Sequence, residues 1–450
     1  MKIAIIGAGP TGLVMGIGLA RRGHQVVAVD RDGGPAPDGS WPRKGVMQFH
    51  HAHGGFRPQI IRTLQREAPA AWENWLAAGG EPIQMPLPDG TLVQAGIRSR
   101  RATFEASVRA AALQQPGMSI RQGHVEELTI DRGRASGIRV DGAGLEADLV
   151  LDASGRASRV TRSLRTGPQL GGPCGIAYVD RQYQLHDGVP TPPMPNPIAW
   201  QGDYQGYQVL VFLHERGTFS ILIVRNTSDR SLVPLRHNAA FDAAARAIPG
   251  LAAWTDPAVS RPLTDVLPGG PLLNTYRGQR GAGGALALPG LIFVGDAVCT
   301  TTPNFGRGIT TSYLQAGRLL DLIDEHAMAC DGDADAVALE FDDWCEQNMR
   351  PWVEDHRRMD DSLTRRWDGE DIDLTDRLPS DLIMAAASRD PSIAPATVPY
   401  ITMQGLPSCL DAVEPLARSV FETGWRPPFS QGPTRPELAA IASRALATAA

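Results

Sequence analysis

A glycine-rich turn near the start of the chain is the first group of residues whose types and spacing could do chemistry. Gly7-Ala8-Gly9-Pro10-Thr11-Gly12 has the spacing GxGxxG. In such a turn Gly7 permits the sharp reversal, Gly9 lets the backbone approach a pyrophosphate, and Gly12 lets the next helix pack closely on the preceding strand. The pattern predicts a site for the phosphates of a dinucleotide.

The elements around this turn are those that a dinucleotide site requires. Lys2 to Ile6 and Gln25 to Val29 read as buried strands, and a helical pattern lies between them. The N-terminus of that helix offers N–H groups and partial positive charge to phosphates. Asp30 ends the second strand, where a carboxylate accepts a ribose hydroxyl. Arg31 is either a contact to a 2′-phosphate or a surface arginine, and the motif alone does not separate FAD from NAD.

Two later segments extend the motif set. Arg101 to Glu105 opens a helix that continues through Ala112. Ala147 to Arg159 is an apolar strand that enters a glycine turn of sequence DASGR, with Asp152 and Gly155 at its ends.

A third segment follows the same scheme. Gly290 to Cys299 is an apolar strand that carries Gly295 and Asp296, and a loop with Pro303, Gly306 and Gly308 leads from it into a helix from about Thr310. The N-terminus of that helix places positive potential where a reduced flavin carries negative charge, and its glycines permit close backbone approach.

Together these four ordered motifs resemble those of the para-hydroxybenzoate-hydroxylase-like FAD-dependent monooxygenases, nearest a branch that includes flavin-dependent epoxidases. The resemblance covers about the first 330 residues. Cys299 and Thr310 stand where many aromatic hydroxylases have His and Asn, which places the chain off the phenol-hydroxylase branch.

The resemblance implies a fold of the α/β class, mixed with α+β character: a Rossmann-type FAD domain, a β-sheet substrate domain and C-terminal helices. The implied boundaries are 1–80, 96–168 and 285–330 for the FAD domain, 81–95 and 169–284 for the substrate domain, and 331–450 for the mostly helical region.

The resemblance also implies which residues hold FAD, bound without a covalent link. The turn and the strand end would hold the ADP half, Arg101 the pyrophosphate or ribityl region, the backbone near Val125 the adenine, and Asp296 a ribityl hydroxyl. Backbone N–H groups of the third segment would meet the flavin N1–O2 edge. The full set is Gly7, Gly9, Pro10, Thr11, Gly12, Asp30, Arg31, Arg43, Arg101, Val125, Asp152, Gly155, Gly295, Asp296, Pro303, Gly306, Gly308, Ile309 and Thr310.

The middle of the chain is expected to form the substrate cavity. Residues 172–264 look β-rich, with a hairpin formed by Tyr207 to Leu213 and Thr218 to Val224. Tyr178, Phe212 and Phe219 are the substrate-binding candidates. Arg181, Tyr183 and Arg307 are the catalytic candidates, although the flavin itself is expected to do the chemistry. The stretch Pro268–Gly284 reads as a loop, and Pro351 is expected to end or kink a helix.

A histidine run, His50, His51 and His53, leaves three interpretations open. A metal site would need further ligands at fitting spacing, and none is evident, so no metal is expected. A covalent histidine–flavin link and an ordinary flavin-adjacent or solvent-facing loop are the other two.

Composition excludes other classes of function. The 450 residues carry a net charge of −6, with 42% hydrophobic and 20% charged residues, which indicates a globular protein and argues against a nucleic-acid partner. The five cysteines are widely spaced and contain no CxxC pair, which suits reduced thiols in the cytoplasm. Neither a signal peptide nor a membrane span is expected.

The sequence therefore predicts an FAD-dependent monooxygenase. We expect it to insert one oxygen atom from O2, by hydroxylation or epoxidation, into a mostly apolar organic small molecule through a flavin C4a-hydroperoxide. NAD(P)H, or reduced flavin from a partner flavin reductase, would supply electrons. A reductase or dehydrogenase similar to the geranylgeranyl reductases, a flavin-dependent halogenase and a protein that uses FAD only structurally or as a redox sensor are the alternatives.

Overall fold

The computed structural model describes residues 1–36, 40–41, 55–86, 91–156, 158–194, 199–326 and 333–449. Within these residues the strands are β1 (Lys2–Ile6), β2 (Gln25–Asp30), β3 (Gly55–Phe56), β4 (Glu81–Pro86), β5 (Leu92–Arg98), β6 (Met118–Gln122), β7 (Val125–Asp131), β8 (Arg134–Val140), β9 (Ala143–Glu146), β10 (Leu149–Asp152), β11 (Leu170–Pro173), β12 (Ile176–Leu185), β13 (Ala199–Tyr204), β14 (Tyr207–Leu213), β15 (Thr218–Asn226), β16 (Ser260–Pro262), β17 (Leu267–Gly269), β18 (Leu273–Tyr276), β19 (Leu291–Phe293) and β20 (Cys299–Thr300).

The described α-helices are distributed along the whole chain and dominate its last third. They are α1 (Pro10–Arg21), α2 (Pro58–Glu67), α3 (Pro69–Ala77), α4 (Arg101–Gln114), α5 (Asn238–Ala247), α6 (Pro249–Thr255), α7 (Gly308–Glu325), α8 (Ala334–Asn348), α9 (Arg350–Trp367), α10 (Ser380–Ala386), α11 (Ala394–Ile401), α12 (Glu414–Glu422) and α13 (Arg435–Ala449). None of them is long and apolar enough to cross a membrane.

A five-stranded parallel sheet in the order β19-β10-β1-β2-β6 forms the first layer. The strands β1, β10 and β19 are almost fully buried, because α1 packs on the sheet and the antiparallel strands β8 and β9 contact β10 and β1, which explains their continuous apolar sequences. The predicted strand Lys2 to Ile6 is confirmed, and the second predicted strand extends one residue further, to Asp30. Asp152 and Asp30 therefore stand at the same, carboxyl edge of the sheet as the glycine turn.

The second sheet is antiparallel, in the order β13-β14-β15-β12-β16, with β17 also paired to β12. Strands β14 and β15 form the predicted hairpin. One face packs on α5, α6 and α13, and a core that includes Phe241 and Trp254 lies between them. The other face carries Tyr178, Leu210 and Leu222, which pack in one buried cluster with Leu272 and with Trp367 at the end of α9. Because the pairing of β12 with β15 is regular over its whole length, neighbouring residues of β12 alternate strictly between these two faces.

Two details of the sequence reading are settled by the structure. The expectation of a loop over Pro268–Gly284 is wrong in part, because β17 overlaps its start, β18 lies inside it, and β18 joins β11 to β20. Strands of three or four residues are too short to show alternation in sequence. The expectation for Pro351 is confirmed: α8 ends at Asn348, and the proline lies in the first turn of α9, where its missing N–H is not needed.

Candidate functional site

The glycine turn is shaped by close backbone approaches that exclude any side chain. Gly7 has φ of +103°, and a Cβ there would lie 2.6 Å from the carbonyl oxygen of Ala153. A Cβ on Gly12 would lie 2.0 Å from the Gly7 carbonyl oxygen. Helix α1 begins at Pro10 without a side-chain cap, so its N-terminal N–H groups stay available to an anion.

Asp30 is fixed beside this turn by backbone donors. Its Oδ2 accepts the N–H of Ala8 at 2.8 Å, and its Oδ1 accepts the N–H of Asp32 at 2.9 Å. The N–H of Gly123 donates to the Asp30 carbonyl at 2.9 Å, which brings the start of β7 at Val125 to the same place. Arg31 is exposed.

The segment Gly295–Ala297 folds onto the glycine turn although it lies far away in sequence. Gly295 has φ of +71°, and a Cβ there would lie 2.9 Å from the Thr11 side chain. The Gly295 N–H donates to Oε1 of Gln315 in α7 at 2.9 Å, which locks the segment to the helix that follows it. The first and last sequence motifs therefore meet at one cleft.

Asp296 has two arginines close to it. Burial raises the pKa of its carboxyl, and the charges of Arg101 and Arg156 oppose that rise. Among the described residues no group hydrogen-bonds the Asp296 carboxylate, whereas Arg101 donates to Glu105 at 2.6 Å. A free acceptor at this point suits a ligand hydroxyl. Arg156 was not singled out from the sequence, although it directly follows Gly155 in the DASGR turn.

The Asp152 carboxylate is engaged within its own turn. It is fully buried and accepts hydrogen bonds from Ser154, Ser158 and Thr161, at 2.6 to 2.7 Å from their hydroxyls. Its carboxylate thus holds the DASGR turn in shape. Gly155, at φ of +84°, has open space at its Cβ position.

The loop that follows Asp296 is polar and buried to half-buried. Pro303 begins a short 3₁₀ turn, Gly306 has φ of +58°, and α7 begins at Gly308 without a side-chain cap. In this loop and the first turns of α7, buried side-chain oxygens without a hydrogen-bond partner among the described residues include those of Thr301, Thr302, Asn304, Thr310 and Tyr313. Unsatisfied buried oxygens are costly, so their grouping indicates a polar ligand.

Arg57, which sequence reasoning missed, holds this loop. Its guanidinium donates to the carbonyls of Gly306 at 2.6 Å, Phe305 at 3.0 Å and Ile401 at 3.1 Å. Burial, and then the charge of Arg307, lower the pKa of Arg57 to about 9. The residue precedes α2, and no sequence signal connected it with a loop some 250 residues away.

Residues 2–111 match the sequence profile of a family described as FAD dependent oxidoreductases. Over these residues the chain is that of an FAD-dependent oxidoreductase. The cofactor expected from the sequence is thereby confirmed, and the uncapped helix ends, the glycine cradle and the unsatisfied oxygens described above fit it.

Solved flavoproteins share the oxidoreductase's fold. The crystal structure of pqsL, a probable FAD-dependent monooxygenase from Pseudomonas aeruginosa, aligns with a TM-score of 0.59 at 16% identity, covering 82% of this chain and 98% of that chain. The flavin-dependent brominase Bmp2 aligns with a TM-score of 0.61 at 15% identity, covering 94% and 100%. CtdE, solved in complex with FAD and a substrate, aligns with a TM-score of 0.58 at 16% identity, covering 82% and 91%.

The antiparallel sheet divides the predicted substrate residues of the oxidoreductase between its two faces. Tyr178 and the half-buried Phe212 share one face. Burial and the neighbouring Asp180 raise the pKa of the Tyr178 hydroxyl, whereas Arg101 and Arg156 lower it. Because the same two arginines act on Asp296, this face of the sheet is turned toward the FAD motifs.

The opposite face carries the other three sheet candidates, Arg181, Tyr183 and Phe219. They pack toward α5 and α6, away from the face of Tyr178, which corrects the expectation that they line the substrate site. Tyr183 stacks on Phe219 with ring centroids 5.2 Å apart, inside the core against α5 and α6. Arg181 donates to Asp242 in α5 and to the Thr264 carbonyl at 2.8 Å. Sequence reasoning identified the strand but did not assign its faces, and a one-residue step reverses the face.

Arg307 also lies away from the sheet, in contrast to its candidate catalytic role. It is 2% exposed, and its Nη1 contacts His356 Nε2 at 2.7 Å and donates to the Tyr400 hydroxyl at 2.9 Å. Its guanidinium lies 4.5 Å from the centroid of the Trp352 ring. Arg307 thus ties the start of α7 to α9 and α11.

Four further residues of the sequence reading, Arg43, His50, His51 and His53, lie outside the described residues. For Ile309, as for the other cofactor-binding candidates, the contact with FAD stays a prediction.

Proposed function

We propose that this FAD-dependent oxidoreductase is a monooxygenase that transfers one oxygen atom from O2 to a mostly apolar organic small molecule. The observation that carries the proposal is the apolar sheet face of Tyr178, Leu210 and Leu222, which is turned toward the arginines beside Asp296. Such a face can hold an apolar substrate next to a flavin and exclude water from the reaction. The description of pqsL as a probable FAD-dependent monooxygenase agrees with this function.

The residues at the cleft would divide the work of holding FAD. The α1 N-terminus and Asp30 would bind the pyrophosphate and adenosine ribose, and the backbone near Val125 would border the adenine. Asp296 would accept a ribityl hydroxyl, with Arg101 and Arg156 beside it. We also propose that residues 1–80, 96–168 and 285–330 form the FAD domain and that residues 81–95 and 169–284 form the substrate domain.

Bound FAD supplies the redox chemistry, and the protein positions it. The backbone N–H groups of Gly308, Ile309 and Thr310, at the uncapped start of α7, would stabilise negative charge on the flavin ring. Arg57 keeps these groups in place through its contacts with the preceding carbonyls. Electrons would come from NAD(P)H or from a partner flavin reductase in the cytoplasm.

Isotope labelling tests the proposed reaction. The FAD-loaded protein would be incubated under ¹⁸O2 with NADH or NADPH, with and without a separate flavin reductase, and a panel of apolar aromatic and isoprenoid compounds. Products that carry one ¹⁸O atom support a monooxygenase. Hydrogenated products without ¹⁸O would overturn the proposal in favour of a reductase, and bromide- or chloride-dependent halogenated products in favour of a halogenase.

A further inference from the structure

A small cavity beside the DASGR turn is lined by arginines that have no role in the site as described so far. Its volume is about 20 Å³, and its walls include Arg165, Arg277, Gln169 and Phe293. The Arg165 guanidinium lies 4.0 Å from the centroid of the Phe293 ring. A space of this size accommodates one water molecule or one monatomic ion.

Arg165 carries hydrogen-bond donors that the protein does not satisfy. Its side chain is 10% exposed, and its Nη1 donates to the Ala297 carbonyl. Its Nε and Nη2 are buried and have no hydrogen-bond partner among the described residues. The nearby Asp152 Oδ2 lies 3.9 Å from Nη2, which is beyond hydrogen-bond distance. Open donors on a buried cation are costly unless an acceptor takes them.

The positive charge around the cavity is not balanced by the protein. Burial lowers the pKa of Arg165 to about 10; the charge of Asp152 opposes this, and that of Arg277 adds to it. Burial and the charge of Arg162 likewise lower the pKa of Arg277. The Asp152 carboxylate already accepts hydroxyls of its own turn, and Arg280 in the cavity wall pairs with two acids of α8. A water molecule would satisfy the open donors but not this excess of charge.

We propose that this cavity binds one chloride ion between Arg165 and Arg277. A monatomic anion fits the volume, accepts N–H groups of a guanidinium and offsets the positive charge. A phosphate or sulfate ion is larger than the space. Ala287 and Phe293 add apolar walls, which suit a weakly hydrated anion.

The ion would join two segments of the cleft that are far apart in sequence. Arg165 donates to the carbonyl of Ala297, next to Asp296, and Arg277 donates to the carbonyl of Arg156 at 3.3 Å. A chloride that contacts both guanidinium groups therefore ties the DASGR turn to the segment that carries Asp296. Chloride binding at this place does not depend on the reaction proposed above.

Thermal unfolding in matched salts tests the proposal. The full chain, saturated with FAD, is dialysed into sodium gluconate and then unfolded in chloride, bromide, sulfate, phosphate or gluconate at equal ionic strength, which equalises charge screening. Because only the folded chain would bind the ion, chloride should raise the melting temperature and then saturate. We expect a rise of at least about 2 °C in chloride or bromide relative to gluconate, and none in sulfate or phosphate.

Bromide also locates the ion directly. Crystals of the protein are soaked in sodium bromide, and X-ray data are collected at the bromine absorption edge. We expect an anomalous peak between the guanidinium groups of Arg165 and Arg277.

Variants assign the halide effect to the two arginines. Arg165→Met keeps most of the side-chain length without its charge and should abolish the halide-dependent rise. Arg277→Gln, at a half-buried position, should increase the half-saturating chloride concentration at least about tenfold, and it keeps the test valid if loss of Arg165 unfolds the protein. Arg261→Gln, at an exposed position of β16, is the matched control and should respond to chloride as the unmodified protein does.

Three results would overturn the chloride site and leave the proposed function intact. The first is an equal rise in all the salts, or a larger rise in sulfate or phosphate than in chloride. The second is a halide-dependent rise that survives in both Arg165→Met and Arg277→Gln. The third is a bromide peak in the crystal with no halide-specific rise in solution, which would identify an adventitious ion only.

Discussion

At the scale of single residues, the site is defined by groups whose partners are missing or unusually distant in sequence. Asp296 and Asp180 are carboxyl groups whose burial raises their pKa, and among the described residues neither has a hydrogen-bond partner. Neither the burial of these carboxyl groups nor their missing partners can be read from the sequence. Asp296 was assigned from its motif, and Asp180 was not assigned at all. The signal that could have found Asp180 is its place in the alternating strand IAYVDRQYQ, where an acid shares a face with Tyr178.

The buried acid makes stability depend on pH. Asp180 has a folded-state pKa well above that of the unfolded chain, near 3.9. The stability that its protonated form contributes is complete below pH 4 and is lost as pH rises toward the folded-state pKa. Asp180→Asn should therefore melt at a higher temperature than the unmodified protein at pH 8. The difference between the two proteins in the free energy of unfolding should grow from pH 5 upward by up to about 1.4 kcal/mol per pH unit. Differential scanning calorimetry of both proteins measures this difference, with Asp187→Asn, at an exposed position, as the control. An equal shift at pH 5 and pH 8 would contradict it.

Arg57 offers a second test, on cofactor affinity. Its three carbonyl contacts hold the loop before α7, so Arg57→Leu should weaken FAD binding about tenfold, or about 1.4 kcal/mol, through loss of that loop geometry. Fluorescence titration of the apoprotein with FAD measures the dissociation constant. Arg62→Leu, at an exposed position of α2, should leave it unchanged. Identical affinities for Arg57→Leu and Arg62→Leu would show that the loop does not need this support.

At the scale of elements, the unit β1-α1-β2 was predictable because its signals are local. Apolar runs, a glycine turn and a terminal acid lie within thirty residues, and each has one physical reading. The short strands β17 and β18 were not predictable, because they are stabilised by β12, β11 and β20 and not by their own sequence. Which residues of β12 face FAD was undecided for the same reason: the answer depends on α5 and α6 covering one side.

Two glycines of α1, Gly12 and Gly16, should differ in how well they tolerate a side chain. A Cβ at Gly12 would meet the Gly7 carbonyl at 2.0 Å, whereas a Cβ at Gly16 would meet the flexible end of Met118 at 2.5 Å. Gly12→Ala should therefore lose several kcal/mol of stability and its FAD. Gly16→Ala should stay within about 1 kcal/mol of the unmodified protein, because helix propensity offsets the shift of the methionine. Denaturant unfolding and the flavin-to-protein absorbance ratio check both. Comparable losses in the two variants would refute the distinction.

At the scale of the whole molecule, the C-terminal helices are connected to the loop before α7. The sequence suggested no chemistry there, yet Arg307 at the start of α7 binds His356 in α9 and Tyr400 in α11, and Tyr400 in turn donates to Asp355 at 2.7 Å. Long-range contacts of this kind carry no local sequence pattern. They make the helical region part of the structure that holds Gly306 and Gly308 in position.

This connection predicts that FAD protects a helix that does not touch it. We propose that FAD contacts the loop that precedes α7. The Arg307 network should then pass the order gained on binding to α11, so amide hydrogen exchange over Ala394–Ile401 should slow when FAD is added. Tyr400→Phe removes the hydroxyl that links Arg307 to Asp355; it should cost about 1–3 kcal/mol of stability and reduce the FAD-dependent protection. Val398→Ala, at an exposed position of the same helix, should keep that protection. If the Arg307 network couples the two regions, stabilisation has to pass between them in both directions. Exchange over α11 that is unchanged by FAD in the unmodified protein would therefore show that the C-terminal helices are not coupled to FAD binding.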